Sequence, residues 1–409
     1  MKAPARVTVL GAGLSGRAAA ALAKRKGAQV TLTDLNAQAP EMDGIRCIFG
    51  RHEDTDLTDT DLVVVSPGIP AAAPPVRLAQ DADVAVVGEL GFAASFLPQD
   101  KPILAISGTN GKSTVTWFTK QILEQAGMKV FAGGNLGTPL SLAVDGDHEV
   151  LVVEVSSYQM ELPGPFTPWA AVILNLTPDH LARHGDMATY AQHKLRLFDN
   201  LRPEGLAGLV HEPHLEFAAQ GKPGRRIWLD RLALDNPVLD TLRVLGDHNR
   251  WNAAVACLLA AEVGVVPADL STLVGLPHRL EPVPSNDGRR WINDSKATNI
   301  EAAIVGISAM EGPGVVLLGG RGKAGADYSR LRACIEGRPV VCFGEAGPEI
   351  HAALGGTLVG SLDQAVSTAR ELSAHGEQIL LSPACSSFDA FQNFERRGDH
   401  FRALVQELP

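Results

Sequence analysis

The sequence predicts an α/β protein of three domains in series: a Rossmann-like domain, a central P-loop-type ATPase domain with a mainly parallel sheet, and a second Rossmann-like domain. Three observations carry this reading. Apolar runs of strand length recur along the chain, glycine-rich turns follow them directly, and alanine- or leucine-rich helical stretches come before the next run. With 409 residues and 45% hydrophobic content, the chain is long enough for two or three domains with large cores.

In the first segment, 1–92, Arg6–Leu10 reads as a strand and Gly11-Ala12-Gly13-Leu14-Ser15-Gly16 opens an alanine-rich helix. A second strand, Gln29–Thr33, ends at Asp34, about 20 residues past the glycine turn, where a dinucleotide fingerprint has its ribose-binding acid. Taken alone, that pattern predicts NAD. Strand Leu62–Val65 and the turn Ser66-Pro67-Gly68-Ile69-Pro70 complete a small nucleotide-binding unit with no catalytic half.

The second segment, 93–276, starts with strand Ile103–Ser107 and the turn Gly108-Thr109-Asn110-Gly111-Lys112-Ser113-Thr114. This is a phosphate cradle. Turn N–H groups and the positive helix end face a polyphosphate, Lys112 neutralises it, and the Ser113 hydroxyl can join the coordination shell of Mg²⁺. The common G-x-x-x-x-G-K-[ST] pattern would have glycine where this chain has Ile106, so the loop is a shortened variant. Val115–Ala126 reads as an amphipathic helix ended by Gly127, and Val150–Val155 and Ala170–Leu176 as further strands. Polar residues follow each strand: Lys112 and Ser113, then Ser156 and Ser157 with Glu154 just before them, then Asp179 and His180. Strand carboxyl ends converge on the ligand crevice of an open α/β sheet, so these residues are expected to meet in one site.

The third segment, 277–409, carries strands Arg290–Ile292, Gly314–Leu318, Pro339–Phe343 and Gln378–Leu381, with Gly319-Gly320-Arg321-Gly322-Lys323 after the second.

A net charge of −10 and a pI near 5.6 leave no basic surface for duplex nucleic acid or anionic lipid and direct attention to small-molecule partners. The cysteines Cys47, Cys257, Cys334, Cys342 and Cys385 have no CxxC spacing, which fits a reducing cytosol and argues against a structural zinc. No signal-peptide pattern and no membrane-length apolar run are present, so the expectation is a cytoplasmic protein with no membrane insertion. It is expected to be a monomer.

Several longer strings coincide: Gly108-Thr109-Asn110-Gly111-Lys112-Ser113, Gly133-Gly134-Asn135-Leu136-Gly137, Glu154-Val155-Ser156-Ser157-Tyr158-Gln159 and Asn175-Leu176-Thr177-Pro178-Asp179-His180. Further on come Gly246-Asp247-His248-Asn249, Leu276-Pro277-His278-Arg279, Trp291-Ile292-Asn293-Asp294-Ser295-Lys296-Ala297-Thr298-Asn299 and Leu381-Ser382-Pro383-Ala384-Cys385-Ser386-Ser387. Together they resemble the Mur ligases, ATP-dependent amino-acid ligases of peptidoglycan synthesis, from the first strand to the carboxyl terminus.

The resemblance implies UDP-N-acetylmuramoyl-L-alanine and D-glutamate as substrates, ATP and Mg²⁺ as cofactors, and an acyl-phosphate route to the amide. It turns the first glycine loop from NAD to UDP, with Leu14, Ser15, Asp34 and Ser66 at the UDP end. Leu35-Asn36 follows the acid where some family members carry Thr-Arg. Ser113 and Glu154 are implied as ligands to a first Mg²⁺ and His180 to a second, with Lys194 carbamylated by CO₂ into an anionic metal ligand. Asn135, Ser156 and Gln159 would face the muramoyl-peptide or phosphate region, and Asn252, Arg279 and Asp294 the adenine, phosphate and ribose of ATP. Lys296, Thr298, Lys323, Ser387 and Phe388 match positions that take the glutamate, the last being leucine in many relatives. Contacts assigned to three domains imply hinge closure, with Phe92–Pro98 and Leu276–Pro277 as candidate hinges. Three other readings compete: an L-glutamate-adding variant, a folate polyglutamate-type ligase, and an inert NAD-binding or GTPase-like regulatory module.

Overall fold

Three β-sheets organise the chain in the computed structural model, which describes residues 4–232, 234–244, 246–323, 325–335 and 337–409. The first sheet contains β1 (Arg6–Leu10), β2 (Gln29–Asp34), β3 (Arg46–Phe49), β4 (Leu62–Val65) and β5 (Ala85–Gly88) in the order β3-β2-β1-β4-β5, all parallel. Strand order reverses between β1 and β4, so the glycine turn after β1 and the Ser66 turn after β4 flank the crevice where such sheets take ligands. The helix Leu14–Arg25 buries Ala18, Ala19, Ala20 and Ala23, small side chains that let it lie close to the sheet. At Gly16 the approach is tightest, since a Cβ there would lie 1.8 Å from the Gly11 carbonyl oxygen.

The second sheet holds β6 (Ile103–Ser107), β7 (Val130–Gly134), β8 (Val150–Glu154), β9 (Ala170–Ile173), β10 (Leu206–Leu209) and β11 (Arg225–Trp228). Their order is β11-β10-β9-β6-β8-β7, again all parallel. Strand β6 sits between β8 and β9, with Ile106 opposite Glu154 and Ser107 opposite Ile173. The loops after these three strands are therefore neighbours, as the sequence led us to expect.

The third sheet has β12 (Glu281–Val283), β13 (Arg290–Asn293), β14 (Gly314–Gly319), β15 (Val340–Phe343), β16 (Thr357–Leu358) and β17 (Gln378–Leu381) in the order β12-β13-β17-β14-β15-β16. Only β12 runs antiparallel to its neighbour.

By contacts the chain divides into two units, Met1–Arg243 with His248–Leu273 and Val244–Asp247 with Val274–Pro409. The first unit contains two sheets because they share one apolar cluster: Leu90 and Phe92 beyond β5 join the core that includes Ile103, Leu140 and Phe166. Burying side chains of this size contributes roughly 1.5–3 kcal/mol each.

Several boundaries differ from the sequence reading. The strand expected over 170–176 stops at Ile173, because Asn175 turns to hold the phosphate loop. The strand expected from Pro339 starts at Val340; proline has no N–H for a ladder. The helix expected from Val115 already begins at Lys112. Strands β3, β5, β7, β10, β11, β12 and β16 were not expected; they are short, and β7 and β10 carry glycine. All five cysteines are free, and no helix among the described residues is long and apolar enough to cross a membrane.

Candidate active site

The turn between β6 and the helix Lys112–Gln125 needs backbone that only glycine adopts easily. Gly111, the residue capping that helix, has φ 84°, and a Cβ there would lie 3.0 Å from Asn252 Oδ1. Asn175 shapes the turn from across the sheet. Its Oδ1 accepts from the N–H groups of Thr109 (3.0 Å) and Asn110 (2.8 Å), and its Nδ2 donates to the Asn110 carbonyl (3.1 Å). The Thr109 hydroxyl lies 3.2 Å from the Tyr190 hydroxyl. Lys112 Nζ donates to the carbonyls of Gly108 (2.9 Å) and Thr109 (2.8 Å), over the mouth of the turn. Ser113 and Thr114 lie buried in the first helical turn. A helix start, a glycine turn and a lysine at one point form an anion cradle.

Glu154 ends β8 beside this cradle and is 2% exposed. Its Oε1 accepts from Asn135 Nδ2 at 2.7 Å, while its Oε2 is buried with no hydrogen-bond partner. Lys194 lies on the helix Met187–Leu195, whose start is capped by Asp186 accepting from the Thr189 N–H. Its side chain is also 2% exposed, and Nζ donates to the Gly108 carbonyl at 2.8 Å. Burial, then the like charge of Lys112, push this amine well below its ordinary pKa, against the pull of Asp179 and Glu154. This shift favours the neutral amine, the form able to add CO₂.

His180, in left-handed backbone (φ 54°), caps the short helix Leu181–His184. Its Nδ1 lies 3.0 Å from the Tyr158 hydroxyl and its Nε2 3.3 Å from Asp179 Oδ2. Among the described residues no three His, Cys, Asp or Glu side chains are grouped as a ready-made metal cage. The orphaned oxygen of Glu154, the Ser113 hydroxyl and a carbamylated Lys194 nevertheless fit a hard cation that takes its remaining ligands from phosphate.

On the first sheet, Asp34 Oδ2 accepts from the Ala12 N–H at 2.6 Å and Oδ1 from the Asn36 N–H at 2.8 Å. The acid thus braces the glycine turn. Ser66 Oγ donates to the Gly11 carbonyl at 3.0 Å, closing the same turn from β4. Leu14 is 74% exposed at the start of its helix, with Ser15 half-buried beside it. Gln159 has a similar bracing job: its Oε1 accepts from the Ser156 N–H and the Ser156 hydroxyl at 2.9 and 3.0 Å.

Within the second unit, Asp294 follows β13 and is buried. Burial raises its pKa to about 7, although Ser382 Oγ, donating at 2.8 Å, and the charge of Arg279 oppose the rise. Lys296 Nζ lies 4.5 Å over the Phe394 ring, and the Thr298 N–H donates to the Lys296 carbonyl. Ser387 is buried, Phe388 is 61% exposed, and Lys323 follows β14. Arg397, unexposed, draws these loops together. It donates to the carbonyls of Ser295 (2.8 Å), Cys385 (3.0 Å) and Ser386 (3.2 Å), which lie after β13 and β17. Asn252 belongs to the first unit, whereas Arg279 and Asp294 belong to the second.

The sequence reading missed Asn175, Tyr190 and Arg397 as organisers. Asn175 had a signal only as the first residue of the string 175–180, since the expected strand ran through it; buried Arg397 had none, being one of two adjacent arginines on a helix.

Parallel sheets with a phosphate cradle at the carboxyl edge define a nucleotide-binding α/β protein. Residues 5–88 match the family model described as Mur ligase MurD-like, N-terminal domain, and residues 106–226 the Mur ligase middle domain. Among relatives, a protein of Myxococcus xanthus named UDP-N-acetylmuramoylalanine--D-glutamate ligase is 39% identical over 98% of both chains. The MurF ligase of Thermotoga maritima, solved in complex with ADP, shares the fold, with TM-score 0.60, 16% identity and coverage of 98% of this chain and 94% of its own. A bifunctional folylpolyglutamate synthase/dihydrofolate synthase of Yersinia pestis covers 77% of this chain and 92% of its own, with TM-score 0.58 and 16% identity. The chain belongs to the Mur ligase family.

Proposed function

We propose that this chain uses ATP to join D-glutamate to the carboxylate of UDP-N-acetylmuramoyl-L-alanine, giving the amide, ADP and phosphate. The end-to-end identity of 39% to a D-glutamate ligase carries the reading. A folate-type ligase has only the fold in its favour.

A substrate carboxylate oxygen attacks the γ-phosphorus of ATP, ADP leaves, and an acyl phosphate forms. The glutamate amine then attacks the acyl carbon, phosphate leaves, and the amine loses a proton. Holding anions together is the chain's main task. Gly108, Thr109, Asn110, Gly111 and Thr114 cradle the phosphates, and Lys112 neutralises them. Asn252, Arg279 and Asp294 take the rest of the nucleotide. Two Mg²⁺ ions, held by Ser113, Glu154, His180 and carbamylated Lys194, would supply charge neutralisation at the phosphoryl oxygens.

In the carbamylation, the neutral Lys194 nitrogen bonds to the carbon of CO₂ and releases one proton. Leu14, Ser15, Asp34 and Ser66 serve the UDP end, and Asn135, Ser156 and Gln159 the muramoyl-peptide. Lys296, Thr298, Lys323, Ser387 and Phe388 take the glutamate. The labour divides over 1–92, 93–276 and 277–409, and the enzyme works as a cytoplasmic monomer.

Phosphate release from ATP and Mg²⁺ with UDP-N-acetylmuramoyl-L-alanine, compared for D-glutamate, L-glutamate and no amino acid, tests the reading. Strict dependence on D-glutamate is expected. Preference for L-glutamate would move the enzyme to a variant specificity, and silence with both would overturn the ligase assignment.

A further inference from the structure

One ion pair in the first unit has no role in the chemistry above, yet it touches two of its loops. Arg183 and Glu161 meet side by side, Nε to Oε1 at 2.7 Å and Nη2 to Oε2 at 3.0 Å, with side chains 16% and 9% exposed. On one side the pair grips the turn after β4. Glu161 Oε2 accepts from the Ala71 N–H at 2.9 Å, and Arg183 Nη1 donates to the Gly68 carbonyl at 3.1 Å. That turn begins at Ser66, which closes the glycine turn of the first sheet.

On the other side the Arg183 guanidinium lies 4.5 Å over the Tyr158 ring. The Tyr158 hydroxyl reaches His180 Nδ1 at 3.0 Å, their ring centroids 4.9 Å apart. An unbroken line of contacts thus runs from the β4 turn through Glu161, Arg183 and Tyr158 to His180.

Stability alone is a weak reason for this arrangement. A largely buried ion pair gains little over apolar packing of the same volume. What a bidentate fork does supply is fixed geometry, because a planar guanidinium meets a carboxylate in few orientations. The carboxylate is kept charged for the purpose: burial would raise its pKa, but Arg183 and the Ala71 N–H outweigh that and hold it below the ordinary value.

We propose that Glu161 and Arg183 are positioning residues that couple seating of the UDP-linked substrate on the β4 turn to the orientation of the His180 imidazole, with Tyr158 as the connecting link. The inference rests on the functional reading above, in which that turn serves the UDP end and His180 the reaction centre.

Arg183→Lys, Glu161→Gln, their combination and Tyr158→Phe test it. Three readouts apply: calorimetric binding of UDP-N-acetylmuramoyl-L-alanine without ATP or metal, the KM of each substrate with the Mg²⁺ requirement, and the ¹⁵N shifts of the His180 ring. Arg183→Lys keeps the charge but not the fork, so it should weaken calorimetric binding about 10-fold while the KM values of ATP and glutamate stay within about two-fold. It should also shift the His180 ring resonances. Tyr158→Phe should bind the UDP substrate as the wild type does, but need about 10-fold more Mg²⁺ and show shifted His180 resonances. The double variant should be no worse than the weaker single one, as expected of residues acting as a unit.

Unchanged UDP-substrate binding in Arg183→Lys, equal rises in all three KM values, or a His180 ring indifferent to Arg183 would each overturn the proposal. Should Arg183→Lys fail to fold, Glu161→Gln is read by the same criteria. Wild-type protein that binds the UDP substrate but releases no phosphate with glutamate would remove the ligase reading instead, with the binding and ring-shift readouts still deciding the coupling.

Discussion

Burial of the Lys194 amine against the Gly108 carbonyl would tie the proposed carbamate to the phosphate turn itself. Protonated, the amine would be a desolvated cation beside Lys112; as a carbamate it would be an anion that answers that cation. Lys194→Ala should therefore lose nearly all activity, regain part of it with a short carboxylic acid, and lose the carbonyl ¹³C resonance that ¹³CO₂ gives the wild type. Full activity after exhaustive CO₂ removal would refute the carbamate. Asp294 makes a second prediction. Its folded pKa is raised to about 7 from 3.8, so across that interval the folded state keeps a proton that the unfolded state has lost. Stability conferred by the protonated acid is present below the lower value and falls as pH rises to the upper one, by an amount on the order of a few kcal/mol. Asn cannot ionise, so the unfolding midpoint of Asp294→Asn should lack this component of the fall, and parallel profiles for the two proteins would count against it.

The strand-turn-helix from β6 to Gln125 is the element on which the nucleotide reading stands. Gly111 is the point where its backbone turns left-handed, and the space beside it belongs to Asn252. Gly111→Ala should cost about 1–2 kcal/mol in denaturant unfolding from the left-handed backbone alone. It should also raise the KM of ATP, because both the turn and Asn252 must shift. An unchanged KM would mean that the turn does not hold the nucleotide. Much of this element was legible in advance, since its glycines shape the turn locally and its lysine reaches carbonyls only three and four residues away. Asn175 was legible only as part of a string, for its three bonds to the turn span a gap of about 65 residues. Asp34 and Gln159 show the opposite limit: their types suit a ligand, but that their oxygens also accept backbone N–H groups, of Ala12 and Asn36 for Asp34 and of Ser156 for Gln159, was not legible.

Across the whole molecule, the phosphate cradle and UDP-type turns lie on the first unit, whereas Lys296, Thr298, Lys323 and Ser387 lie on the second. Under the proposed function, a reaction needing all of them would draw the two units together as the ligands bind, which would also keep water from the acyl phosphate. Small-angle scattering should record a smaller radius of gyration when a non-hydrolysable ATP analogue, the UDP substrate and glutamate are added together; identical profiles would exclude closure. By itself the sequence determined the α/β class, the principal strands, the phosphate turn and the family, because periodicity, glycine conformations and ordered strings are local properties of the chain. Tertiary structure alone decided that two sheets share a core, that Arg397 draws the third sheet's loops together, and that Glu161 and Arg183 span two loops. It also decided that burial lowers the pKa of Lys194 and raises that of Asp294. The physical reason is desolvation: a group's charge and partners depend on which distant segments close over it, and no local pattern records that.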